Sequence, residues 1–480
     1  MNDQQNVESQ GMDLAKGLPM FAASEPEILA QEKEQLAELN KKGILGRWKG
    51  YWTRTGPGWM QSAMTLGGGS AMASLFAGAF MQYKLLWVQP FAMLLGIIML
   101  SALAHQTMST GQRPFYAMKK YVHPSMAWAW AISTLVATVI WHFPQYALAA
   151  GMTEDVINAV TGFKTTEKTQ TIFLLFLGLI FFAVGTTVSW NYGSGRKGIK
   201  HFEKFIKTVI WLIILCFGIV VVKKSIDGGI VWGNVFRGFI PSLPKDTKGI
   251  EIMIAGFSAA VGINMTFLFG YSYLARGWGA EHRGLAKFDL ITGMLIPYTL
   301  ATSLMVIVAG CTIYNPDGVT NISPVQAARM FEASGLPMVF SRLIFGFGII
   351  GMAMNCITLH MLTSGFAVCE IFGIEPGGWK YKLACLTPAP GFLGVVLWKH
   401  MGPWIAIPTS AVCLLMLPIA YIGFFILNNN KEYLGDNKPT GCRAFVWNTA
   451  MLFAIAVSVF SGIYLLYKSI IPKLMQIFGG

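Results

Sequence analysis

The chain has 480 residues, 54% of them hydrophobic and only 12% charged, about half the charged fraction of an ordinary soluble domain. Several apolar runs exceed the roughly 18 residues that read as membrane-spanning, which excludes a soluble enzyme. The net charge of +13 is concentrated in short loops between those runs, as orientation signals are; no basic-aromatic face is present, so no nucleic-acid partner is expected.

Residues 1–23 read as disordered, and the polar first 40 residues lack the apolar core of a cleavable signal peptide. Ser24, Pro26 and Glu27 form a helix start, with a capping residue, Pro in the first turn and Glu at capping-box spacing. They predict a surface helix over 25–42, ended near Gly43. Residues 1–50 are therefore read as an N-terminal arm.

Eleven spans follow: 57–80, 86–108, 126–150, 171–189, 206–223, 249–275, 286–310, 339–367, 381–398, 402–427 and 444–467. Backbone groups in lipid must bond internally, and the period-2 alternation of a membrane barrel is absent, so the spans are helices. The fold class expected is an all-α membrane protein. Residues 51–436 form a ten-span core, and 437–480 add an eleventh span.

Lys41, Lys42, Arg47, Lys49 and Arg54 precede the first span; Arg113, Lys119 and Lys120 follow the second. Arg196, Lys197, Lys200, Lys204 and Lys207 follow the fourth, and Arg276 and Arg283 the sixth. All fall on one side, so the N-terminus is expected in the cytoplasm and the C-terminus outside, in an inner or plasma membrane. The 224–248 loop is also basic and runs against the bias.

Two spans carry breaks. Gly67-Gly68-Gly69-Ser70 interrupts the first, and Gly256, Gly262, Asn264 and Gly270 fall in the sixth. Adjacent glycines destabilise a helix by roughly 1 kcal/mol each relative to alanine. Spans one and six are corresponding members of a five-plus-five arrangement, and paired interruptions there mark a transporter's binding site.

No motif supports catalysis or a cofactor. Gly193, Gly195 and Gly198 match a dinucleotide fingerprint but lie in a basic loop with no preceding strand. Walker A, GxSxG and HExxH patterns are absent. The seven cysteines are scattered and make no CxxC pair.

Gly56-Pro57-Gly58, the run from Tyr83 to Val88, the Gly195–Glu203 approach, Gly238–Pro244, Leu417-Pro418-Ile419-Ala420 and Lys431–Gly435 occur in order along the chain. In sequence and spacing they resemble the Nramp family over about residues 50–436. The resemblance implies the LeuT-type inverted-repeat fold with broken first and sixth helices, working by alternating access. It also implies proton-coupled uptake of divalent metals such as manganese and iron.

The chemistry departs from that implication. The family's Asp-Pro-Gly-Asn falls on Gly67, Gly68, Gly69 and Ser70. Its Met-Pro-His falls on Asn264, Met265 and Thr266, so the thioether is replaced by an amide or displaced by one residue. Its tenth-span glutamine falls on Ser410, and its third-span acids on Val139 and His142. No span carries a mid-membrane Asp or Glu; Asp289 lies near the start of the seventh. A desolvated divalent ion needs compensating charge or many oxygen ligands, so no metal site is expected with bare transition-metal chemistry.

Successive glycines free backbone N–H groups, and the half-helix beyond presents its positive end, which suits a carboxylate or another small anion. Trp141, Tyr146, Phe267, Phe269 and Tyr273 are candidate apolar lining; Asn264, Thr266, Asn355 and His142 are candidate polar contacts, with Gln145 and His360 behind them. The sequence therefore favours a secondary transporter of a small solute, carboxylate-bearing on this argument, coupled to H⁺ or Na⁺. The alternatives are a divalent cation, Mg²⁺ keeping its waters included, or a sensor-like relative that binds without flux.

Overall fold

The computed structural model describes residues 26–192, 196–317, 322–374, 378–472 and 475, with side chains described for all but 26–29, 167–168, 196, 398–412 and 469–470. The disordered stretch expected over 1–23, part of the glycine pattern at 193–198 and the Ser410 side chain lie outside the described residues. Among the described residues there are helices and no strand. Among the described residues eight helical segments are long and apolar enough to cross a membrane, and two sharply bent helix pairs bring the number to ten.

The N-terminal arm is α1 (Pro26–Lys41) and α2 (Ile44–Trp52). It packs on the face where the basic loops gather, through the Lys33–Glu281 ion pair at 2.8 Å and Tyr51 against Phe288. The first span is two half-helices, α3 (Pro57–Thr65) and α4 (Gly68–Met81), bent by 59°. Then come α5 (Val88–Thr110), α6 (Pro114–Tyr121), α7 (Pro124–Thr161), α8 (Glu167–Tyr192) and α9 (Arg196–Ile226). The second set of spans starts after α10 (Trp232–Arg237), and again the first member is split, into α11 (Thr247–Ala260) and α12 (Ile263–Ala275). The seventh span joins α13 (Arg283–Leu290) through a π turn to α14 (Ile296–Thr312). After α15 (Pro324–Ala333), α16 (Phe345–Phe372) is the eighth.

The third span is longer than expected: α7 passes residue 150 and runs to Thr161. Asp155, fully buried on this extension, is held at 2.8 Å by both Arg329 and Arg342. A buried carboxylate with two guanidinium partners is compensated, and this ties together α7, α15 and the start of the eighth span on the face away from the N-terminal arm.

The expected ninth span is built differently. Residues 379–394 are not a continuous helix but α17 (Trp379–Cys385), a 3₁₀ turn (Ala389–Leu393) and the start of α18 (Gly394–Asn429). Pro388 and Pro390 remove two donors and disfavour helix in the residues before them. The turn lies at mid-depth, where a Cβ on Gly391 would meet His142 and one on Gly394 would meet the Phe143 carbonyl. α19 (Lys431–Leu434) and the last span, α20 (Gly441–Leu465), complete the chain.

The two ends of the described chain lie on opposite faces. Asn437 bonds His105 (2.9 Å) and Arg283 (2.7 Å) on the face that carries the N-terminal arm. From there α20 crosses to the far face, where Tyr464 comes near Glu251.

Candidate functional site

The two breaks use the same device. Each first half ends in extended backbone, at Leu66-Gly67 and Val261-Gly262, and each second half starts on a glycine cap with no side chain. The third residue of each second half then reaches back. Ser70 Oγ accepts from the Gly67 N–H at 3.0 Å, and Met265 Sδ accepts from the Gly262 N–H at 3.3 Å. Ser70 also donates to the Thr65 carbonyl at 2.7 Å, closing α3 onto α4. Thr65 Oγ1 lies 3.2 Å from both Met265 Sδ and the Ala260 carbonyl, which joins the two breaks directly.

The amides just beyond are also occupied, that of Met265 in part by the Gly262 carbonyl at 3.1 Å. Gly68 N–H donates to Gln145 Oε1 at 3.0 Å, and Met265 N–H to Asn264 Oδ1 at 3.0 Å. At both breaks a side-chain amide oxygen thus sits on the positive end of a half-helix, the position an anionic oxygen favours.

Between the breaks is a cavity of about 50 Å³, room for roughly one or two waters. Of the residues singled out from sequence, Gly67, Gly69, Ser70, Asn264 and Trp141 line it, with Gln145 and His360. Trp141 lies so close over Gly69 that a Cβ there would meet its ring at 2.9 Å. The other candidates lie elsewhere. Gly68 reaches the site only through Gln145. Thr266 is turned away, donating to Ile263 O at 2.5 Å and accepting from Trp130 Nε1 at 3.0 Å. His142 is buried behind the lining, with its Nδ1 3.3 Å from that of His360. Asn355 is buried beside the lining, and neither its Oδ1 nor its Nδ2 has a hydrogen-bond partner. Tyr146, Phe267, Phe269 and Tyr273 are packed in the core.

Gly262, one of the glycines noted in the sixth span, also lines it; Met64, Thr65, Ser258, Ala259, Met265 and Cys356 complete the lining and were not singled out, apart from Met265 as a one-residue displacement of the thioether. Cys356 carries the most consequence. Its Sγ donates to the Met64 carbonyl at 3.1 Å and lies 2.2 Å from where a Cβ on Gly67 would be. The volume into which a side chain at 67 would project, the position given to the family's aspartate above, is filled by a thiol. The signal for Met265 was present in the sequence, since it stands third after a glycine cap as Ser70 does. Cys356 gave none, because that contact is between distant segments.

No Asp or Glu lines the cavity, and among the described residues no three His, Cys, Asp or Glu side chains cluster to hold a metal ion. The carboxylate nearest in role is Asp289, at the end beside the N-terminal arm. It is fully buried and caps α3: Oδ1 accepts from Gly56 N–H at 2.9 Å and Oδ2 from Gly58 N–H at 2.6 Å. The glycines of the Gly-Pro-Gly entry permit this approach, since a Cβ on Gly58 would meet the Asp289 backbone at 2.3 Å. Arg276, paired with Glu203 at 2.7 Å, bonds the Arg54 and Thr55 carbonyls at 3.1 Å, and Lys207 also donates to Thr55 O. Every residue of α3 is buried, so the cavity is closed towards this face.

Residues 58–468 match the family model described as natural resistance-associated macrophage protein-like, Nramp. The chain belongs to the Nramp family. It is therefore a member of a family of membrane transporters and not an enzyme. The metal transporter Nramp5 of Oryza sativa subsp. japonica is 22% identical, over 82% of this chain and 71% of that one. The divalent metal cation transporter MntH of Mesorhizobium japonicum is 21% identical, over 83% and 86%. Among solved structures, the Eremococcus coleocola manganese transporter superposes with a TM-score of 0.71 at 15% identity, covering 90% of this chain and 89% of that one. MhsT in complex with L-phenylalanine superposes at 0.53 and 11% identity, covering 83% and 98%. These likenesses establish the fold: the Nramp chain has the LeuT-type arrangement with its first and sixth spans broken.

Proposed function

We propose that this Nramp-family chain is a secondary carrier that moves a small carboxylate-bearing solute by alternating access through the cavity between the two broken helices. One observation carries the reading. At both breaks a side-chain amide oxygen, from Gln145 and from Asn264, already accepts from a backbone N–H at a half-helix N-terminus, the Met265 N–H being shared with the Gly262 carbonyl. A carboxylate can replace either oxygen at those amides with a stronger, charge-assisted bond. The lining offers no negative side chain to repel it. The small volume restricts the solute to a few heavy atoms in the closed state.

A second reading has its own support. Met265 brings a thioether to the cavity, a ligand type that suits softer metals, and the named relatives are metal transporters. A divalent cation would be held there by neutral donors only.

Flux into sealed liposomes separates the two. Wild-type protein is assayed with labelled two- to four-carbon carboxylates, Mn²⁺ and Mg²⁺. Carboxylate uptake that Asn264→Leu abolishes supports the first reading; Mn²⁺ or Mg²⁺ uptake with no carboxylate flux replaces it by the second. Specific binding with no flux of any of them identifies a sensor-like relative.

A further inference from the structure

A second cavity, of about 240 Å³, opens on the face that carries the N-terminal arm. It lies between α5, α13 and α20, far in sequence from the broken helices. Three permanently charged cations line it, Arg283, Lys287 and Arg443, together with His105, and no acidic residue does. Arg283 is half committed: its Nη2 donates to Ser109 Oγ at 2.5 Å and Asn437 Oδ1 at 2.7 Å. Its Nε is buried with no hydrogen-bond partner. Such an unmet charged donor is costly unless something accepts from it. Lys287 and Arg443 are exposed at the rim, and no acidic side chain among the described residues pairs with them. Arg443 instead lies over the Trp447 ring, 5.6 Å from its centroid. Asp436, next to Asn437 in sequence, does not line the cavity.

The deeper wall is apolar, with Leu290 at its base. One side of the cavity is α20, whose outward face carries Phe445, Leu452, Phe453 and Phe460, each more than half exposed and so turned to lipid. The cavity thus combines a cationic mouth with a tryptophan and an apolar inner wall, and it lies beside a helix whose other side faces lipid. Basic pockets between membrane helices recognise lipid head groups in this way.

We propose that this cavity is a binding site for an anionic phospholipid. Its phosphate accepts from Arg283 Nε and is flanked by Lys287 and Arg443, and an acyl chain lies along the apolar wall beside α20. The site is independent of what the carrier moves.

The test uses the full purified chain in detergent, titrated with phosphatidylglycerol or phosphatidylcholine and read by native mass spectrometry. The expected result is retention of phosphatidylglycerol over phosphatidylcholine. The double change Lys287→Gln/Arg443→Gln should weaken phosphatidylglycerol binding about 30-fold, a factor of about five per basic side chain. Neither residue holds another element in place, so this variant should keep the wild-type melting temperature; Lys287→Gln alone, expected at about fivefold, serves if it does not. Equal retention of both lipids, or unchanged binding in the variants, overturns the site. Glycerol phosphate or inorganic phosphate competing as strongly as phosphatidylglycerol overturns the lipid assignment and makes the cavity a site for soluble phosphate.

Discussion

Asp289→Asn is nearly isosteric and isolates the hydrogen bonds that hold α3 shut. The aspartate accepts from Gly56 and Gly58, both amides buried. Asparagine keeps one acceptor oxygen and places an NH₂ against the other N–H donor. One charge-assisted bond, worth about 1.5–3 kcal/mol, is lost, and a buried donor is left unmet at a cost of about 1–3 kcal/mol. Lys207 and Arg276 still clamp Thr55, so a net loss of about 3 kcal/mol from the inner-closed state is a reasonable centre. That shifts the equilibrium between inner-closed and inner-open forms by about 150-fold, as 1.4 kcal/mol corresponds to tenfold. Cys356 reports the shift, because it lines the cavity and is almost wholly buried. With the other six cysteines replaced, an impermeant maleimide applied from the arm-bearing face should alkylate Cys356 at least tenfold faster in Asp289→Asn. An unchanged rate in a variant that elutes and melts like its parent would refute the idea that this carboxylate holds the inner end closed.

Gly67→Ala should destabilise the fold by about 1–3 kcal/mol through overpacking against Cys356, and Cys356→Ala should relieve most of it; a double-mutant cycle by denaturation in detergent should give a coupling of at least about 1 kcal/mol. Asn264→Leu should abolish flux in a folded protein. Thr266→Val, which removes only the bonds to Ile263 and Trp130, should cost about 1 kcal/mol of stability and leave flux intact; normal transport by the Asn264 variant would place the site elsewhere. Mn²⁺ should bind no tighter than millimolar by calorimetry, about −4 kcal/mol, for want of a lining carboxylate. Reporters on the two chain ends should label from opposite sides of the membrane, with the N-terminal arm in the cytoplasm.

Much of the architecture was legible because it depends on local chemistry. Gly67-Gly68-Gly69-Ser70 cannot continue a helix cheaply, and lipid tolerates such a break only beside a cavity. The basic loops and the Gly-Pro-Gly entry were equally local. The ninth span was misjudged because hydropathy over 381–398 is insensitive to Pro388 and Pro390, which divide it at mid-depth. Thr266 and Asn355 were chosen for polarity within a span, yet helix phase decides which face they take: Thr266 lies behind Met265, and Asn355 beside the Cys356 that meets the cavity. The pairing of Gly67 with Cys356 joins residues nearly three hundred positions apart and leaves no trace in either segment. Asp289 was visible as a carboxylate near a span's start, but its role as the cap of a helix in another span is purely tertiary.

The matched closures by Ser70 and Met265 bear on the return half of the transport cycle. A carrier whose unwound segments bond only to cargo is stranded when unloaded, and moves mainly by exchanging one solute for another. Here the glycine-cap amides are satisfied by their own chain. Reorientation of the unloaded protein then exposes no bare backbone at the breaks to the membrane interior. On the carrier reading proposed above, such a protein is expected to reset without a counter-substrate and to drive net accumulation where a strict exchanger could only swap.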